Sequence, residues 1–155
     1  MTHGGKQLTA YLLDTSVYIQ ALNNREFALK FEAFVQAALP KVWVSAVVAF
    51  EVSVGAQDKA HAEKLERWML NPFRSRERIL TPGAATWDLV AQMDRELRKR
   101  GGYASKLEQR SFLNDMLIGA TCRQVGATLI TANLNDYSLI SSVVALRYQG
   151  QFPVL

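Results

Sequence analysis

Apolar and polar positions along the chain follow two periods, and the switches between them mark out the elements. Tyr11, Leu12 and Leu13 form a short apolar run of the kind that fills a buried strand. The run stops at Asp14, and Thr15 and Ser16 open a helical stretch that continues to Leu22 before Asn23 and Asn24 interrupt it. Phe27, Phe31, Phe34, Val35 and Ala38 then recur every three or four positions, which predicts a helix over residues 26–39 ended by Pro40. Residues 41–45, KVWVS, have the β-branched and aromatic content of a second strand. Residues 46–55, AVVAFEVSVG, fit either an extension of that strand or a helix capped by Ser45; as a helix they put Glu51 on the line of Val47, Val48 and Val54.

In the second half, residues 58–70 predict a charged helix with His61, Glu63, Lys64, Glu66 and Arg67 outward and Leu65, Trp68 and Met69 inward, stopped by Asn71-Pro72. Ile79-Leu80 reads as a short strand. After the turn Thr81-Pro82-Gly83, an amphipathic helix with Trp87, Leu89, Val90, Met93 and Leu97 on its apolar side runs into the basic stretch RELRKRGG at 95–102. Residues 108–125 give the strongest helical pattern: Phe112, Leu113, Met116, Leu117 and Ala120 form its face, and Asp115 lies just beyond the edge. Gly119 and Cys122, both small, predict clearance for something to approach that carboxylate. Gly126 ends the helix, residues 127–131 (ATLIT) form a buried-type strand, and the strand runs into TANLNDY at 131–137. Residues 143–148 and 152–155 predict short closing strands.

Strands alternate with helices, which implies an α/β fold with a parallel sheet covered on both faces. The length of 155 residues suits a single domain, expected over residues 11–155 behind a flexible tail at 1–10. Apolar residues make up 49% and charged residues 21%, which are globular values. The lone cysteine, Cys122, permits neither an intramolecular disulfide nor a cysteine-based zinc site, and the expected setting is cytoplasmic. No apolar run approaches the roughly 20 residues that cross a bilayer, so no membrane association is expected. The formal charge of +4 and pI near 9.4 favour a polyanionic partner without identifying it.

The acids narrow the chemistry. Asp14 stands where a strand ends, which in open α/β sheets is where ligands bind, yet Asp is also a preferred helix N-cap. Glu51 within an apolar stripe either reaches water at its edge or needs a cationic partner. Polar clusters follow the first and fourth strands, with Glu51 and Asp115 on helices between. Carboxylates converging on one sheet edge repel, and divalent cations relieve that repulsion. With so few histidines and cysteines, a hard ion, Mg²⁺ or Mn²⁺, is favoured over zinc. The basic cluster at 95–102, continued by Lys106 and Arg110, serves either the negative end of its helix dipole or a phosphate backbone.

The motifs LLDTSVYI around Asp14, SAVVAFEV with Glu51, FLNDMLIGATCRQVGATLIT around Asp115 and TANLNDY resemble, in order and spacing, the PIN-domain ribonucleases, and within them the toxins of VapBC-type toxin–antitoxin pairs. The resemblance implies a three-layer α/β/α domain with a short, mostly parallel sheet of about four to five strands. It implies that Asp14, Glu51, Asp115 and Asp136 are the catalytic and metal-holding acids. Asn133 stands where the family commonly has another acid. Ser16, Thr131 and Asn133 would contact the scissile phosphate, with Thr15 helping to orient the ligands and Arg98, Arg100 and Lys106 binding the RNA backbone. The implied activity is Mg²⁺- or Mn²⁺-dependent endoribonuclease cleavage, the implied partners RNA and a cognate antitoxin, and the implied assembly a homodimer. A structure-specific DNA nuclease and a catalytically weak RNA-binding module are the competing readings. A haloacid-dehalogenase phosphatase would need a second Asp two residues after the first, where this chain has Ser16.

Overall fold

The structure, a computed structural model, describes residues 10–56 and 58–155; the tail expected at 1–10 lies almost wholly outside them. Its centre is β1 (Tyr11–Leu13), whose three side chains are all buried, as a strand covered on both faces requires. β1 pairs in parallel with β2 (Val42–Ser45) on one side and β4 (Thr128–Ile130) on the other, in the registers Tyr11↔Val42 and Tyr11↔Thr128. β3 (Ile79–Leu80) extends the sheet beyond β2, and β5 (Arg147–Gln149) extends it beyond β4, again in parallel. The strand order among the described residues is β3-β2-β1-β4-β5. The chain therefore builds outward in one direction from β1 and then crosses back to build in the other. The carboxyl ends of β1 and β4 flank the switch point, where a crevice opens in such sheets.

α1 (Thr15–Asn23) follows β1 directly and packs against α2 (Arg25–Ala38), which Asn24 caps by accepting from the Phe27 amide at 2.9 Å. The ambiguous valine-rich segment is helix α3 (Ala46–Val54); the Ser45 hydroxyl accepts from the Val47 amide at 3.1 Å, and Val48 and Val52 are buried. α6 (Ala84–Arg100) and α8 (Arg110–Val125) pack on one another, with the one-turn α7 (Ala104–Leu107) between them. α8 ends where Gly126 adopts φ +71°, a left-handed conformation that glycine takes without a Cβ penalty. α9 (Leu134–Ser141) then connects β4 to β5.

The structure corrects several expectations from sequence. The helix predicted over 58–70 is α4 (Lys59–Lys64) followed by a π-helical stretch at Leu65–Leu70, and Asn71-Pro72 does not stop it: α5 (Asn71–Arg74) follows, with Pro72 in its first turn, where a missing N–H is tolerated. The wider π turn changes which side chains face inward, and Trp68 is 69% exposed. Trp87, expected inward, is 50% exposed near the start of α6. Residues 152–155 form no strand. Phe152 instead packs across α2, stacked on Phe34 at 5.0 Å between ring centroids and 5.5 Å from Phe27. Aromatic burial there outcompetes pairing at the edge of β5.

Candidate active site

Asp14 has the extended backbone of an N-cap, but its side chain caps nothing. The carboxylate, 2% exposed, turns into the switch-point crevice and accepts three hydroxyl hydrogen bonds: Ser16 Oγ and Thr131 Oγ1 to Oδ2, each at 2.9 Å, and the Tyr137 phenol to Oδ1 at 3.0 Å. Asp14 N also donates to Ile130 O at 2.9 Å, which extends the β1–β4 ladder to the acid itself. Ser16 in addition accepts from the Ala132 amide at 3.1 Å. Both strand ends are thereby tied to one carboxylate.

Glu51 comes from the last turns of α3 and is half-buried. Among the described residues its partner is no cation but the Thr15 hydroxyl, which donates to Oε1 at 2.7 Å and fixes α3 to the start of α1. Asp115, 7% exposed on α8, sits behind these groups: the Tyr137 phenol is 3.4 Å from its Oδ1 and the Asn133 amide nitrogen donates to Oδ2 at 3.2 Å. Burial pushes the Asp115 carboxyl up from 3.8 to about 9, and the charge of Asp14, the hydrogen bond to Asp136 and the charges of Asp136 and Glu51 push the same way. Asp136, in the first turn of α9, differs. Burial raises it, but hydrogen bonds from Lys106 Nζ at 2.5 Å and Asn133 Nδ2 at 3.0 Å outweigh burial and hold it below the ordinary carboxylate range. Burial, then the negative charges of Asp14 and Asp115, raise the Tyr137 phenol well above its usual value, so it stays a neutral donor.

Of the residues singled out from sequence, the structure brings together Asp14, Ser16, Thr131, Asn133, Asp115, Asp136 and Lys106, with Glu51 joined through Thr15. It does not bring Arg98 or Arg100 to the acids. Arg98 pairs with Asp94 one turn earlier on α6 at 2.5 Å, and Arg100 donates to Ser142 Oγ and O, at 2.9 and 3.0 Å, at the opposite end of α9 from Asp136. Gly119 does not clear a path to Asp115 either. A Cβ there would meet Ile140 Cγ2 at 3.1 Å and Leu146 Cδ2 at 3.6 Å, so the glycine serves close packing against α9. Sequence reasoning passed over Tyr137 as a functional residue. Its signal was an aromatic with a polar tip inside a polar motif, four residues beyond Asn133 and so on the same face of α9.

Among the described residues no three histidines, cysteines or acids are drawn together as a ready-made metal cluster. The donor set nevertheless suits a hard divalent cation. It is all oxygen, and beyond burial the negative charges of Asp14, Asp136 and Glu51 raise the Asp115 carboxyl, a repulsion that a cation would offset. Asp14, Asp115 and Glu51 could hold such an ion directly or through its water shell.

Comparison with known proteins agrees with the fold. The sequence profile of the family described as PIN domain matches residues 11–138. A chain of the DNA-bound VapBC from Salmonella typhimurium superposes with a TM-score of 0.67 at 17% identity, over 91% of this chain and 97% of that one. A chain of VapBC-1 from nontypeable Haemophilus influenzae gives 0.66 at 23% identity over 91% and 97%, and one of FitAB bound to IR36 DNA gives 0.68 at 21% over 94% and 97%. At these identities the likeness is one of fold. No curated protein sequence matches the chain. The profile covers most of the sequence, including each of the four acids, and the chain belongs to the PIN-domain family.

Proposed function

We propose that this protein is a metal-dependent endoribonuclease and the toxin of a VapBC-type toxin–antitoxin pair. PIN-family membership supports the coarser part, a hydrolase acting on nucleic-acid phosphodiester bonds. One observation supports the metal dependence: two buried carboxylates, Asp14 and Asp115, meet at the Tyr137 hydroxyl in the crevice of the sheet, where burial and then the charge of Asp14 raise the Asp115 carboxyl. When bound, a divalent cation supplies Lewis-acid stabilisation of a phosphoryl oxygen and lowers the pKa of an attacking water. Asp14 and Asp115 would hold it, with the Tyr137 hydroxyl between their oxygens. Thr15 keeps Glu51 oriented toward the same crevice, and the hydroxyls of Ser16 and Thr131 keep Asp14 in place for the phosphate. Arg98 and Arg100, exposed beyond the acids, track the RNA backbone, so affinity falls steeply with salt.

Three structures of similar fold are complexes whose names pair two components, VapBC and FitAB, and this supports a cognate antitoxin for this chain as well. Ile19, Val54 and Trp68 are apolar and exposed on α1, α3 and the π-helical stretch, and side chains of this kind are ones such a partner could cover. A homodimer belongs to the same reading. The test is cleavage of a mixed RNA pool, and in parallel of flap and duplex DNA, by the full chain with Mg²⁺, with EDTA, and with folded Asp14→Asn and Asp115→Asn variants. Mg²⁺-dependent RNA cleavage lost in both variants is expected. Preferential DNA cleavage would replace the substrate, and RNA binding without cleavage would replace the enzyme by a binding module.

A further inference from the structure

The fourth acid is matched by a cation of the chain itself. Gly101 and Gly102, at φ +78° and +86°, turn the chain off the end of α6, and buried Leu107 anchors the single turn of α7. Lys106 is thereby laid over the ring of Phe112, its Nζ 5.4 Å from the centroid and 2.5 Å from Asp136 Oδ1. The other oxygen of Asp136 accepts from the Asn133 amide at 3.0 Å, and the same nitrogen donates to Asp115 Oδ2 at 3.2 Å. An amide nitrogen carries two hydrogens, and here both point at carboxylates. An N–H cannot ligate a cation. Donor hydrogens of Asn133 thus bridge Asp115 and Asp136, and Asp136, unlike Asp14 with its three neutral hydroxyls, is already paired with a cation.

We infer that Lys106 takes the place of a second metal ion: the Lys106–Asp136–Asn133 arrangement closes that side of the site, and the chain holds a single divalent cation at Asp14, Glu51 and Asp115. The inference rests on the metal-dependent reading above and assigns Lys106 the role of a positioning residue. A second dication could reach Asp136 only by expelling the ammonium from both the carboxylate and the Phe112 ring, or by sitting beside it against like-charge repulsion. Asn133 adds to the exclusion, because it offers hydrogens where an acid would offer lone pairs.

The experiment counts Mn²⁺ per chain by titration calorimetry and by electron paramagnetic resonance, on the full chain with far-UV circular dichroism as a check of folding. Wild type and Lys106→Arg, which keeps the charge, are expected to bind one ion. Lys106→Met combined with Asn133→Asp is expected to bind two, with the spectral signature of coupled Mn²⁺. Lys106→Met alone, which changes only a partly exposed side chain, is expected to add a weaker second phase absent from wild type. Two ions in wild type, or a single ion in both Lys106→Met variants, would overturn the inference while leaving metal-dependent cleavage standing. No Mn²⁺ bound by any variant would overturn both.

Discussion

Replacing Tyr137 with phenylalanine removes one oxygen and keeps the ring, so it isolates the contribution of the hydroxyl that joins Asp14 to Asp115. The ring is fully buried, and only the volume of one oxygen is lost. What is lost is one of three hydrogen bonds to a carboxylate that is 2% exposed and has no water to turn to. The single phenolic hydrogen serves Asp14, at 3.0 Å; the 3.4 Å contact to Asp115 is the weaker one. A hydrogen bond to a charged group contributes about 1.5–3 kcal/mol net, and that is the expected loss of stability in the metal-free protein. For a chain of this size each kcal/mol moves the midpoint by about 2–4 °C, so Tm should fall by about 3–12 °C.

Urea unfolding at neutral pH, followed by circular dichroism, reads this directly: the midpoint should fall while the m-value stays constant, because the surface exposed on unfolding is unchanged. Mn²⁺ should restore part of the loss, since a ligand bound only to the folded state stabilises it by mass action. A Tyr137→Phe protein within about 0.5 kcal/mol of wild type, the range of an ordinary surface substitution, would refute the argument that the phenol holds the two acids.

Two further predictions concern the same acids. The Asp115 carboxyl is raised in the folded state, from 3.8 to about 9, so its contribution is complete below the ordinary carboxyl range and is lost as pH climbs toward 9. Metal-free Asp115→Asn should therefore gain in stability on wild type as pH rises across that window, and parallel pH profiles of the two proteins in urea unfolding would rule this out. Thr15→Val, nearly isosteric, deletes the 2.7 Å bond to Glu51 and should cost about 0.5–1.5 kcal/mol. A double-mutant cycle with Glu51→Met, which removes the acceptor, should return a coupling energy of that order, and zero coupling would show that Thr15 does not hold the glutamate.

Strand ends and helix faces with strong periodicity were legible in the sequence because their signals are local. β1, β2 and β4, the run of α8 and its stop at Gly126 all follow from residue type and spacing within a few positions. The failures share a cause, which is that the deciding contact is remote. Phe152 looked like part of a strand, and is placed by the rings of Phe34 and Phe27 on α2. Gly119 looked like room for a ligand, and is room for Ile140 of α9. Lys106 looked like the continuation of a basic run, whereas the turn at Gly101 and Gly102 separates it from Arg98 and Arg100 and delivers it to Asp136.

The same distinction governs how far an acid at a strand end can be read as chemistry. Asp14, Asn133 and Ser45 are all residue types that cap helices, and each stands immediately before one. Only Ser45 caps. Asp14 is released from that duty because its lone pairs are taken by hydroxyls 117 and 123 residues away, along with that of Ser16, and Asn133 because its amide is drawn to Asp115 and Asp136. A capping side chain is satisfied by its own helix and adds nothing to its neighbours. A side chain turned away from its helix is free to serve its neighbours: Asp14 adds a buried carboxylate beside Asp115, and Asn133 donates to Asp115 and Asp136, so the uncapped ends of α1 and α9 mark the site as clearly as the acids themselves.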